Sequence, residues 1–212
     1  MPVLPTPIGI YAILDADTVP VAKLPTLAAG FVQAGVQVFQ VRAKNLPGGP
    51  FVELVVAIRA ALGQKALLLV NDRVDVAALT PSDGVHLGDL DLAPSDARKL
   101  LPKGSIVGYS THSLADISQA SDVDYVGFGP VFATATKVTG RAPLGIELLD
   151  AACKLSPVPV VAIGGITPKD VATLAKAGAS GIAMISGLLL ADSPFETAKE
   201  ATADFFAQGG LK

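Results

Sequence analysis

The chain has 212 residues, half of them hydrophobic and 17% charged, with a formal charge of −3. That composition suits one domain with a large core, 1–212, and excludes a disordered tail; without any run of basic residues, the charge footprint of a nucleic-acid binder is missing too. The lone cysteine, Cys153, excludes an intramolecular disulfide and a cysteine metal cluster, fits a reducing compartment, and reads as a small buried hydrophobe.

The first eight residues carry three prolines and no basic residue, unlike a signal peptide. The longest apolar runs, such as 66–70 and 187–191, fall far short of the roughly 20 residues of a membrane span. A cytoplasmic protein with neither membrane nor nucleic-acid partners is expected.

Short β-branched or apolar runs then alternate with amphipathic segments of helical period. The pattern predicts strands at 10–14, 38–41, 66–70, 84–87, 106–109, 125–128, 160–163 and 181–185. Helices are predicted between them at 25–34, 50–62, 74–79, 94–101, 114–120, 146–155, 168–177 and 194–207. Thr167 before Pro168, and Ser193 before Pro194 with Glu196, read as helix N-caps, while Gly178 and Gly209 read as left-handed C-terminal caps. Eight β/α repeats in a chain this short favour a closed (β/α)8 TIM barrel over an open doubly wound sheet.

In such a barrel, function gathers on the loops after the strands' carboxyl ends. Polar residues gather there: Asp15; Gln40, Arg42 and Lys44; Asn71, Asp72 and Arg73; His86, Asp89 and Asp91; Ser110, Thr111 and His112; Thr134, Thr136 and Lys137; Gly164 and Gly165; Ser186. Spacing by two puts Gln40, Arg42 and Lys44 on one strand face. Two cations side by side call for an anion such as phosphate, or else for pairing with carboxylates of the rim. Asp72 and Asp91, with Asp89 beside the second, could face one another and hold a Mg²⁺ that bridges a polyphosphate; aspartates at strand ends also cap helices or pair with neighbours such as Arg73. Gly164, Gly165 and Ser186 end the seventh and eighth strands, where barrels commonly bind a phosphate through backbone N–H groups; a pair of tight turns is the alternative. The segment 133–141 reads as a cover over the mouth or a long surface loop. His112 reads as a structural residue at a helix start, and His86 as a member of the mouth. No nucleophile with an adjacent base is visible, so the site favours electrostatic handling of phosphates.

Seven ordered segments resemble the thiamine-phosphate synthase family: Gln40-Val-Arg-Ala-Lys44, Asn71-Asp-Arg-Val-Asp75, Asp83-Gly-Val-His-Leu-Gly88 with Asp91, Gly108-Tyr-Ser-Thr-His112, Asp124-Tyr-Val-Gly-Phe-Gly-Pro130, Thr134-Ala-Thr-Lys137 and Val161-Ala-Ile-Gly-Gly-Ile166. The resemblance implies a (β/α)8 barrel that joins a hydroxymethylpyrimidine diphosphate to a thiazole phosphate, or its carboxylated form, releasing pyrophosphate. It implies that Gln40, Arg42, Lys44, Asn71, Ser110 and Lys137 hold the pyrimidine diphosphate, with Arg42, Lys44, Ser110 and Lys137 in the catalytic set. Asp72 and Asp91 would be the Mg²⁺ ligands, and His86 would lie near the pyrimidine. Thr134, Thr136, Gly165, Ile185 and Ser186 would serve the thiazole phosphate. The implied chemistry is dissociative, and a homodimer is left open.

Two positions depart from the family's pattern. Ala43 stands where a Glu is frequent, and Asp89-Leu90 replaces a Gln-Glu pair. A thiazole tautomerase of the same superfamily would carry His at Pro130. A sugar-phosphate epimerase would want acid-base carboxylates and ligand histidines on inner strands, and a sensor barrel would have no need of every cation and both aspartates.

Overall fold

Runs such as Val38-Phe39 and Leu67-Leu-Leu-Val70 bury both faces of a strand, the signature of a parallel sheet covered by helices. The computed structural model describes residues 2–134 and 140–208. Its strands are β1 (Gly9–Asp15), β2 (Val38–Arg42), β3 (Leu67–Asn71), β4 (Gly84–Leu87), β5 (Ile106–Thr111), β6 (Tyr125–Phe128), β7 (Val160–Ala162) and β8 (Gly181–Met184). All pair in parallel with their sequence neighbours, and β8 pairs with β1, so the sheet closes into the expected (β/α)8 barrel.

The helices are α1 (Leu24–Gln33), α2 (Gly48–Leu62), α3 (Val74–Leu79), α4 (Pro94–Leu100), α5 (Leu114–Gln119), α6 (Gly145–Leu155), α7 (Val171–Lys176), α8 (Ser186–Leu189) and α9 (Pro194–Ala207). The predicted helix at 168–177 begins as a 3-10 turn, Pro168–Asp170, and α8 is an addition that its four residues are too few to announce by periodicity. At the predicted caps, Thr167 gives its N–H and hydroxyl to the Asp170 carboxylate, whereas Ser193 makes no side-chain cap, which corrects that expectation. Gly178 closes α7 at φ +90°, and Gly209 lies outside the described residues.

Two apolar layers result. One lies between sheet and helices, where Leu14, Phe39, Val70, Phe128 and Ile182 meet the helices' inner faces. The other fills the barrel, where Tyr11, Val38, Leu69, Ile106, Tyr125, Val161 and Ala183 pack together. Alternation along each strand therefore points Ile13 and Asp15, Gln40 and Arg42, Asn71, His86 and Ser110 inward above that plug. Cys153 packs partly buried against the outer layer, where burial, helped by Asp150, pushes its thiol up to about 12. Among the described residues no helix is long and apolar enough to cross a membrane.

Candidate active site at the barrel mouth

A cavity opens at the strands' carboxyl ends, lined from one side by Gln40, Arg42, Asn71, His86 and Ser110 and from the other by Thr134, Ile163, Gly164, Gly165, Ile185 and Ser186. Nine of the fourteen expected site residues thus meet at one mouth. Lys44, Asp72 and Asp91 stand on its rim, and Thr136 and Lys137 lie outside the described residues, as does most of the segment 133–141.

The cation pair is compensated in a way the sequence reading did not favour. Register places Asp15 beside Arg42, and Arg42 Nη1 donates to both Asp15 carboxylate oxygens at 2.9 and 3.0 Å and to Asp17 at 3.2 Å. Asp15 is only 1% exposed, so this pair is a buried one. Lys44 lies beyond the end of β2, half exposed, with Nζ 3.4 Å from Asp72. Carboxylates therefore balance both cations, which is the second of the two expected outcomes, pairing on the rim.

Asp72 takes a left-handed backbone, φ 62°, at the turn after β3, where its N–H donates to the His86 carbonyl at 2.9 Å. Asp tolerates this conformation better than most residues, at a cost of about 1 kcal/mol. The turn sets its carboxylate beside Asp91, close enough for the two charges to interact, and Asp91 Oδ2 accepts from the Gly88 N–H at 2.7 Å. Burial, then the Asp72 charge, holds the Asp91 carboxyl above the usual carboxylate range, against the Gly88 N–H and Lys44. Two facing carboxylates of this kind suit a hard divalent ion whose remaining ligands are water and phosphate oxygens. Asp89 takes no part: its carboxylate accepts from Arg141 at 2.5 Å. Among the described residues no group of three or more carboxylate, histidine or cysteine ligands converges, so any ion would rest on this pair and on its substrate.

On the opposite side the wall is backbone. Gly164 and Gly165 have φ of +90° and +67°, and a Cβ on Gly165 would lie 2.3 Å from the Ala133 carbonyl oxygen. Ser186 opens α8, whose first N–H groups have no acceptor within the helix.

Beneath both sides, His86 is more deeply placed than the rim position expected of it: 8% exposed, with Nδ1 2.9 Å from the Tyr125 hydroxyl and Nε2 2.9 Å from Ser110 Oγ. Tyr11 and Tyr125, which the sequence reading passed over, sit at the cavity floor. Their signal was available, since a tyrosine on an inward strand position needs a partner for its hydroxyl. His112 behaves as expected, its Nδ1–H donating to the Gly129 carbonyl. Asn71 lines the cavity, and its amide makes no hydrogen bond to a described residue.

Residues 10–188 match the family model described as thiamine monophosphate synthase. A thiamine-phosphate synthase of Anaeromyxobacter dehalogenans is 41% identical over 94% of this chain and 88% of its own length. One from Myxococcus xanthus is 39% identical over 96% of this chain and 94% of its own length. Among solved structures, a thiamine phosphate pyrophosphorylase from Pyrococcus furiosus superposes with a TM-score of 0.86 at 30% identity, covering 97% of this chain and 98% of the other.

Proposed function

Because the chain belongs to the thiamine monophosphate synthase family, whose members are transferases that make thiamine phosphate, we propose that it joins a hydroxymethylpyrimidine diphosphate to a thiazole phosphate at this mouth. The observation that carries the reading is the meeting of Asp72 and Asp91 beside Lys44 and Arg42, at the edge of a cavity large parts of which are uncharged. The charged side receives the diphosphate, through Arg42, Lys44 and Lys137. Gln40, Asn71, His86 and Ser110 surround the pyrimidine. The backbone of Gly165 and Ser186, with Thr134, Thr136 and Ile185, receives the thiazole phosphate.

Asp72 and Asp91 would hold Mg²⁺, which when bound neutralises part of the charge on the diphosphate oxygens. The reaction needs the bond between the pyrimidine's methylene carbon and the bridging oxygen to break, its electron pair leaving with pyrophosphate. The methylene cation so formed is captured by the lone pair of the thiazole nitrogen, giving the thiazolium. No proton moves, which fits a site with no nucleophile-base pair. Arg42 and Lys44 stabilise growing negative charge, and to do so they exchange some contact with Asp15, Asp17 and Asp72 for phosphate oxygens. Fixed cations aimed at a leaving group can each contribute about 3 kcal/mol. The soluble test is to mix the purified chain with both substrates and Mg²⁺. Equal amounts of pyrophosphate and thiamine phosphate are expected; pyrophosphate without the coupled product, or no reaction, overturns the reading.

A further inference from the structure

Five polar side chains, from five different strands, form one unbroken line of hydrogen bonds across the barrel. Gln40 Nε2 donates to the Tyr11 hydroxyl at 2.9 Å, and the Tyr11 and Tyr125 hydroxyls are 2.8 Å apart. The Tyr125 hydroxyl is 2.9 Å from His86 Nδ1, and His86 Nε2 is 2.9 Å from Ser110 Oγ. All five residues are buried. Space for the rings is built into the neighbouring strands: a Cβ on Gly108 would lie 2.1 Å from the Tyr125 ring, and one on Gly127 would lie 3.2 Å from His86 Cε1. His86 stacks on Tyr125 with ring centroids 5.5 Å apart, and Tyr11 meets Tyr125 edge to face at 5.9 Å.

The line has a direction. An amide nitrogen only donates, so the Tyr11 oxygen accepts from Gln40 and gives its own hydrogen to Tyr125. Tyr125, accepting there, gives its hydrogen to His86 Nδ1. A neutral imidazole that accepts at Nδ1 carries its proton on Nε2 and donates from it to Ser110 Oγ. Ser110, which lines the cavity, then has its own hydroxyl hydrogen left to give. Burial pushes both phenols far above their ordinary range, so neither hydroxyl loses the hydrogen on which this order depends. Burying so many polar groups is tolerable only when each has its partner, which ties the five orientations together.

We infer that Tyr11 and Tyr125 are positioning residues which, by fixing the tautomer of His86, make Ser110 a hydrogen-bond donor to an acceptor atom of the pyrimidine diphosphate. The inference rests on the proposed function for the identity of that substrate. It makes His86 a carrier of orientation and not a base, in keeping with chemistry that moves no proton.

Two measurements test it. In the ¹⁵N-labelled wild-type chain, which has only two histidines, with His112→Asn used to assign the signals, His86 is expected to show a protonated Nε2 and an unprotonated, accepting Nδ1. In Tyr125→Phe, Nδ1 loses its donor, and the proton is expected to shift toward Nδ1, with Ser110 turning to donate to Nε2. Turnover on the diphosphate substrate should then fall about tenfold, the scale of one hydrogen bond, with KM for the thiazole phosphate unchanged. Tyr125→Phe added to Ser110→Ala should cost nothing further, because both act through one hydrogen. A wild-type proton on Nδ1, or losses that multiply in the double variant, overturns the inference. The tautomer is read without turnover, so a chain that fails to make thiamine phosphate refutes the reaction while the spectrum still decides the relay.

Discussion

The two halves of the mouth are built by opposite means. The half built from β2, β3 and β4 uses charged side chains: Arg42 on Asp15 and Asp17, Lys44 on Asp72, and Asp72 against Asp91. The half after β7 and β8 uses chain without charge, at Gly164, Gly165 and the start of α8. Balanced ion pairs can be exchanged as charge develops on a leaving group. Backbone set by glycine conformation is fixed before a ligand arrives and gains nothing from changing charge. The first suits a group that departs during the reaction; the second suits one that is only held.

If that contrast is right, the largest effect comes from the carboxylate pair. Asp91→Asn should lower turnover by a hundredfold or more, about 3 kcal/mol, read as pyrophosphate release at saturating Mg²⁺. Its stability should move the other way. Burial and Asp72 raise the Asp91 carboxyl, so its ionised form is disfavoured in the folded chain, and stability falls as pH rises through the ordinary carboxylate value toward the raised one. Without Mg²⁺ at pH 7, Asp91→Asn should therefore melt above the wild type, and adding Mg²⁺ together with pyrophosphate should raise only the wild type's Tm.

Next comes Arg42→Ala, which leaves Asp15 buried without its cation and should destabilise the fold by about 3 kcal/mol in denaturant melts. Arg42→Ala with Asp15→Asn should recover much of that loss while turnover stays low, separating the structural from the catalytic part of the charge. On the neutral half, Gly165→Ala forces a side chain into left-handed backbone and against the Ala133 carbonyl, for about 2 kcal/mol. It should raise KM for the thiazole phosphate far more than for the pyrimidine diphosphate; equal changes would dissolve the contrast.

The smallest effect belongs to a carboxylate outside both halves. Burial raises the Asp116 carboxyl, but the His112 N–H at 2.7 Å and the Ser113 hydroxyl outweigh it and leave it below the usual range. Its contribution is present above the ordinary value near 4 and lost as pH falls through the depressed one. Asp116→Asn should cost at most about 1 kcal/mol at pH 7, with the gap to wild type closing in acid melts and no change in either KM.

Strand and helix positions were legible because β-branched runs and helical spacing are local, and most predicted boundaries fall within two residues of the observed ones. Arg42 at the end of β2, and Asp72 and Asp91 after β3 and β4, were legible for the same reason, whereas Lys44, expected on the same strand face, lies beyond the end of β2. Their partners were not. Arg42 finds Asp15 only because β1 and β2 pair in one register, 27 residues apart, and Tyr11 meets Tyr125 across 114 residues of chain. Such choices belong to barrel closure, which no local pattern encodes. The deeper seat of His86 follows likewise from the glycines at 108 and 127, whose purpose shows only when neighbouring rings fill their places.

On the proposed function, Asp72 and Asp91 grip one divalent ion together with a diphosphate. Binding of Mn²⁺, a paramagnetic stand-in for Mg²⁺, can be followed by electron paramagnetic resonance in the presence of pyrophosphate. One ion per wild-type chain, dependent on pyrophosphate and lost in both Asp72→Asn and Asp91→Asn, is predicted; Mn²⁺ bound equally well by either variant would contradict it.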